Sequence, residues 1–139
     1  MAMTACPNDR PQMIAVDTSA LMAIVLNEPD ADALIAALEA EDDLLISAGT
    51  VAEALIVAAR RNLGEEMERL IDGLGFEIVT VTPASARRIA EAYRIWGNGA
   101  HPVSLNFGDC FAYEVAKEHG CRLLYVGYDF ARTDIESAL

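Results

Sequence analysis

The sequence predicts an α/β domain: a mainly parallel central sheet of four to five strands with helices on both faces. Two observations carry that expectation. Short apolar runs alternate with longer segments whose apolar residues recur at helical spacing, the order that produces parallel strands joined by right-handed crossovers. Ala, Leu, Ile and Val dominate the 139 residues while aromatics supply 6%, and a hydrophobic share of 53% is ample for one buried core.

Met13–Asp17 is a short apolar run ending in Asp-Thr-Ser and reads as a buried first strand. Ala20–Leu26 continues as a helix until Asn27-Glu28-Pro29 breaks it. Asp30–Glu41 carries Ala33, Leu34, Ala37 and Leu38 at helical spacing. Leu44–Ser47 is the second strand, with Ser47 placed to cap a helix over Gly49–Asn62. Gly64–Gly73 is amphipathic, with Met67, Leu70, Ile71 and Leu74 on one side, and Phe76–Val81 alternates as a third strand. Thr82-Pro83 opens a helix to about Trp96, since Thr caps and Pro suits the first helical position. Gly97–Leu105 is a loop. Asn106 then caps Phe107–His119, Gly120 closes it, and Cys121–Val126 is the last strand before Gly127-Tyr128-Asp129-Phe130. In such sheets ligands sit beyond the carboxyl ends of the strands, where Asp17 and Asp129 would both fall.

Ten basic against 22 acidic residues give a formal charge of −12. Alone this argues against a nucleic-acid binder, because affinity for phosphates rests on Lys and Arg. An acidic chain can still bind RNA if divalent cations neutralise its acidic centre and its few arginines cluster on one face, and the charge equally fits a basic protein partner. Cys6, Cys110 and Cys121 form no C-x-x-C pair, and with only His101 and His119 beside them a structural zinc site is not expected. Free thiols point to a reducing cytoplasm. Met13–Leu26 is too short for a membrane span and Asp17 interrupts it. Residues 1–12 read as a flexible leader, with Met13 a possible start, and 13–139 as a single domain.

The acids that lack company are the informative ones. Asp17 is the only charged residue between Pro11 and Asn27, Glu53 between Leu44 and Ala59, Asp109 between Pro102 and Tyr113, and Asp129 between Leu123 and Ala131. Asp17 as an N-cap, Asp109 in a first helical turn and Asp129 as a turn former each have a plain structural explanation. Glu53 lies mid-helix with no basic residue one turn away, and an unpaired carboxylate is costly to bury. Four such acids sharing one site would repel, by roughly 4 kcal/mol for two charges about 4 Å apart at an effective dielectric of 20. A divalent cation would relieve that, oxygen-only ligands favour Mg²⁺ or Mn²⁺, and such a site suits phosphodiester hydrolysis.

The segments Met13–Leu21, Ala48–Ala54, Leu105–Tyr113 and Leu123–Ile135 together resemble the PIN domains of VapC-type toxins, in order and at family-like spacing. The resemblance implies a Rossmann-like PIN fold. It also implies a metal-dependent endoribonuclease leaving 5′-phosphate and 3′-hydroxyl ends, restrained by a cognate VapB-type antitoxin. Asp17, Glu53 and Asp109 would hold the metal, with one of them, or hydroxide held by the metal, as base. Asp129 would be the fourth acid. Many relatives carry that acid two residues earlier, where Gly127 stands here, and others have Asn or Asp where this chain has Tyr128, so a single ion is expected. Ser19 and Asn106 would support the ligands by hydrogen bonds, with Thr18 behind them. A homodimer or a hetero-oligomer with the antitoxin is implied, without membrane attachment.

Arg60, Arg61, Arg87, Arg88 and Arg94 are candidate contacts to RNA or partner, against ordinary exposed helix positions. Tyr93 and Trp96 are set to stack bases or to pack. Two other functions compete. A magnesium-dependent phosphatase would use Asp17 as nucleophile, but Ser19 stands where a second Asp would follow. A catalytically silent PIN-like interaction module would bind no metal.

Overall fold

In a computed structural model, residues 13–99 and 102–139 are described. The leader reading of residues 1–12 and His101 lie outside them. The chain alternates as β1 (Met13–Val16), α1 (Thr18–Val25), α2 (Ala31–Glu39), β2 (Asp43–Ser47), α3 (Ala48–Arg60), α4 (Gly64–Leu74), β3 (Glu77–Val79), α5 (Pro83–Trp96), α6 (Phe107–His119) and β4 (Arg122–Leu124). The four strands form one parallel sheet in the order β3-β2-β1-β4. β1 faces Leu44 and Leu45 of β2 on one side and Leu123 and Leu124 of β4 on the other. A fifth strand is reduced to one bridge, Leu123 to Ser137, along the outer edge of β4.

Alternation along the strands divides the core in two. Ile14, Val16, Leu44, Ile46 and Leu124 point to one face, where Leu21, Leu34, Ala54 and Met67 from α1 to α4 cover them. Ala15, Leu45 and Leu123 point to the other, beneath Ile89 of α5 and Cys110, Val115 and Ala116 of α6. Phe130 and Ile135 bring the C-terminal segment onto this second face. Arg88 of α5 bridges Glu114 (2.9 Å) and Glu118 (3.3 Å) of α6, fastening the two covering helices. No helix among the described residues is long and apolar enough to cross a membrane.

Capping chemistry sets the helix ends. Thr82 and Ser85 form a reciprocal capping box ahead of Pro83, so α5 begins and ends where its sequence predicts. Asn106 and Asp109 do the same for α6, and Gly120 closes it with φ 61°. β3 and β4 are shorter than their apolar runs predict: β3 is paired to β2, β4 to β1 and to the single Ser137 bridge, and both ladders stop where β2 and β1 end. α1 starts two residues before the predicted Ala20, because Asp17 itself caps it.

The chain steps from β1 outward to β2 in one direction and reaches β4 in the other. A crevice therefore opens between the carboxyl ends of β1 and β4, where the two crossovers diverge.

Candidate active site

Asp17 stands at the end of β1, in that crevice. Its backbone N–H donates to the Leu124 carbonyl (3.0 Å), continuing the β1–β4 pairing by one residue. Its side chain turns to cap α1: Oδ2 accepts from the Ser19 N–H (3.0 Å) and the Ser19 hydroxyl (2.7 Å). The Ser19 oxygen in turn accepts from the Val126 N–H (3.0 Å), tying the loop after β4 to the same carboxylate. Asp17 is 3% exposed, and its Oδ1 is buried with no hydrogen-bond partner. Burial pushes the carboxyl up to about 6; the Ser19 bonds oppose the rise and the charge of Glu53 adds to it.

Asp109 enters from the first turn of α6. Its Oδ2 accepts from the Asn106 N–H (3.0 Å), while the Asn106 side-chain oxygen accepts from the Asp109 N–H (2.8 Å). The capping role and the site role are thus compatible, since one oxygen serves the helix terminus. Asp109 is also buried, which pushes it up to about 7. The Asn106 bond works against that, and Asp17, Asp129 and Glu53 add repulsion, in that order.

Glu53 spans the gap between α1 and α6. It is half-buried on α3, and its Oε1 accepts from the Thr18 hydroxyl (2.6 Å). Its other oxygen lies against Gly108, where a Cβ would collide with the carboxylate. The absent cation one helical turn away is therefore answered by a hydroxyl 35 residues earlier in the chain and by a glycine that leaves room. Thr18, ranked behind Ser19 and Asn106, is a direct partner of a site acid. Gly108 carries no signal in the sequence beyond being a glycine beside an acid.

Asp129 lies exposed in the loop after β4, and its charge reaches Asp109. The arginines divide. Arg88 is engaged with Glu114 and Glu118, and Arg94 with Glu91 on its own helix. Arg60, Arg61 and Arg87 are exposed on α3 and α5, without an ion pair. Trp96 packs on the second core face and donates to the Tyr113 hydroxyl (3.0 Å), the packing role.

These residues fit a divalent cation by their chemistry. The donors are all oxygens, the charge of Glu53 raises Asp17 and the charges of Asp17 and Glu53 raise Asp109, and Asp17 Oδ1 is a buried acceptor without a hydrogen-bond partner among the described residues. Among the described residues no three acidic, His or Cys side chains stand together closely enough to hold one metal ion. Magnesium, which keeps several waters and uses one or two carboxylates, does not need three.

An all-parallel sheet of this order, with Asp17 and Asp109 near the divergence of its crossovers, is the architecture of a PIN domain. The chain belongs to the PIN-domain family, which matches residues 14–136. Within it the similarity is to VapC proteins. The chain is 40% identical over 125 residues to VapC ribonuclease Mb0640 of Mycobacterium bovis, covering 88% of this chain and 95% of the relative. It is 39% identical over 127 residues to ribonuclease VapC42 of Mycobacterium tuberculosis, covering 88% and 97%. In fold it matches the crystal structure of the sarcin–ricin-loop-cleaving toxin VapC20 of M. tuberculosis, with TM-score 0.72 at 15% identity over 88% of this chain and 95% of that one. It also matches a toxin–antitoxin complex from Klebsiella pneumoniae, with TM-score 0.67 at 20% identity over 91% and 98%.

Proposed function

We propose that this protein is a VapC-type endoribonuclease toxin. It hydrolyses RNA phosphodiester bonds with Mg²⁺ or Mn²⁺, and a cognate VapB-type antitoxin restrains it. The observation that carries the metal reading is Asp17 Oδ1, buried without a partner in the field of Glu53 and Asp109. The ribonuclease reading draws on relatives at 40% identity along nearly their whole length.

Asp17, Asp109 and Glu53 would hold the ion, with Asp129 as the outermost acid. A bound divalent ion lowers the pKa of water and offsets charge on the leaving oxygen. The protein's own part is to fix the acids: Ser19 orients Asp17, the Asn106 N–H orients Asp109, and Thr18 orients Glu53. Carboxylates held in this way would keep a bound ion in a fixed place for a substrate phosphate.

The reading includes one domain over residues 13–139, a cytoplasmic location consistent with the free Cys110 and Cys121, and assembly as a homodimer or with the antitoxin. Purified protein, freed of bound partner, should cleave RNA in Mg²⁺ or Mn²⁺ and stop in EDTA. Asp17→Asn or Asp109→Asn should slow it at least about a hundredfold. Unchanged cleavage in both variants would overturn the assignment. Absence of any calorimetric Mn²⁺ binding would favour the silent module instead.

A further inference from the structure

Two aromatic side chains at the mouth of the crevice have no part in the core. Phe107, the first residue of α6, is 68% exposed and stands two positions before Asp109. Its ring rests edge-on against Phe111 (centroids 4.9 Å apart, planes at 85°). Phe111 in turn fills the space left by Gly49, where a Cβ would collide with it, so the outer ring is propped from beneath. Tyr128 is 88% exposed in the loop after β4, immediately before Asp129. The Ser19–Val126 bond anchors that loop to Asp17. One ring thus adjoins Asp109 on α6, and the other adjoins Asp129, whose charge reaches Asp109, in the loop after β4.

Cations are scarce by comparison. Among the described residues, Arg69, Arg88, Arg94, Lys117 and Arg122 are taken by acids of this chain, leaving Arg60, Arg61, Arg87 and Arg132. With a net charge of −12, phosphate contacts have little to draw on. Stacking on an aromatic face requires no charge and accepts any unpaired base, whereas bases inside a duplex are already stacked.

Resting on the nuclease reading above, we infer that Phe107 and Tyr128 are stacking platforms for unpaired nucleobases on either side of the scissile phosphate.

The probe is a short single-stranded RNA with 2-aminopurine at successive positions, bound to the uncleaving Asp109→Asn protein. The fluorophore should be quenched at two positions. Phe107→Ala and Tyr128→Ala should each abolish quenching at one of them and weaken binding about five- to hundredfold, while Tyr128→Phe keeps both. The same RNA annealed to its complement should bind far more weakly. The slope of log K against log salt should be no steeper than about −3.5, at about 0.7 for each of the four remaining cations and Arg10 on a single strand. In the otherwise wild-type protein the two alanine variants should raise KM more than they lower kcat and leave Mn²⁺ affinity unchanged. Equal binding of duplex, unaltered quenching in both alanine variants, or loss confined to antitoxin binding would overturn the inference. Failure of the wild-type protein to cleave any RNA, with quenching intact, would overturn the nuclease reading and leave the stacking result standing.

Discussion

Replacing Asp109 by Asn should remove activity and at the same time stabilise the metal-free protein. Folding lifts this carboxyl from its ordinary 3.8 to about 7, by burial first and by Asp17, Asp129 and Glu53 after it. A raised carboxyl favours the folded state only while it keeps its proton. That contribution is full below about pH 4 and is lost as pH rises through about 7, because over that window the unfolded chain has already released its proton and the folded one has not. Above it, the ionised native site stands at a disadvantage of up to about 4 kcal/mol, at 1.36 kcal/mol for each unit. Asn keeps an acceptor for the Asn106 N–H and carries no charge, so most of the penalty disappears; coupling among the acids lowers the expected gain to roughly 2–4 kcal/mol. For a chain of this size that is a rise in Tm of roughly 6–12 °C near pH 8, shrinking to nothing near pH 4.

Saturating Mg²⁺ should close most of that gap. It adds about 2.7 kcal/mol to the wild type at a hundred times its Kd, and much less to a variant missing a ligand. The assay is thermal melting of both proteins across pH, with and without Mg²⁺, alongside RNA cleavage. If the variant melts no higher than wild type in EDTA near pH 8, or the difference persists unchanged near pH 4, the proposed electrostatic strain at the site is wrong.

Four further outcomes follow from the same geometry. Gly108→Ala should push the Glu53 carboxylate aside, a movement its flexible side chain allows, and cut cleavage at least about tenfold while shifting the denaturant midpoint little. Thr18→Val keeps the branched shape but removes the hydroxyl bonded to Glu53, so cleavage should fall and the apparent Mn²⁺ Kd should rise about ten- to hundredfold in a calorimetric titration. Arg88→Ala leaves the buried Glu114 without its nearest cation and should destabilise by about 1–3 kcal/mol in urea melts; pairing it with Glu114→Leu should recover most of the loss. Ser19→Ala removes the hydroxyl that donates to Asp17 Oδ2 and accepts from the Val126 N–H, leaving Oδ2 only the backbone N–H of residue 19, so it should lower kcat and loosen the loop after β4, read as faster amide exchange at Val126.

The sequence by itself determined the fold class and the helices whose ends are set by neighbouring residues. Thr82-Pro83, Asn106 with Asp109, and Gly120 define α5 and α6 because a cap acts within one turn, and one turn is visible in a row of letters. Asp17, Glu53 and Asp109 were legible for a related reason: each is the lone charge in an apolar window, and an apolar window is a buried place. The tertiary structure decided the strand limits and the partners. β3 and β4 end where their neighbours stop pairing, a property of the neighbours and not of their own residues. Glu53 is held by a hydroxyl 35 residues away and makes room against a glycine on another helix, while Ser19 grips a backbone amide 107 residues on. Such contacts exist only once the sheet has brought three crossovers to one edge. The acids therefore announced themselves, and what orients them did not: charge in an apolar stretch is a local property, and a hydrogen bond between distant segments is a property of the packed chain.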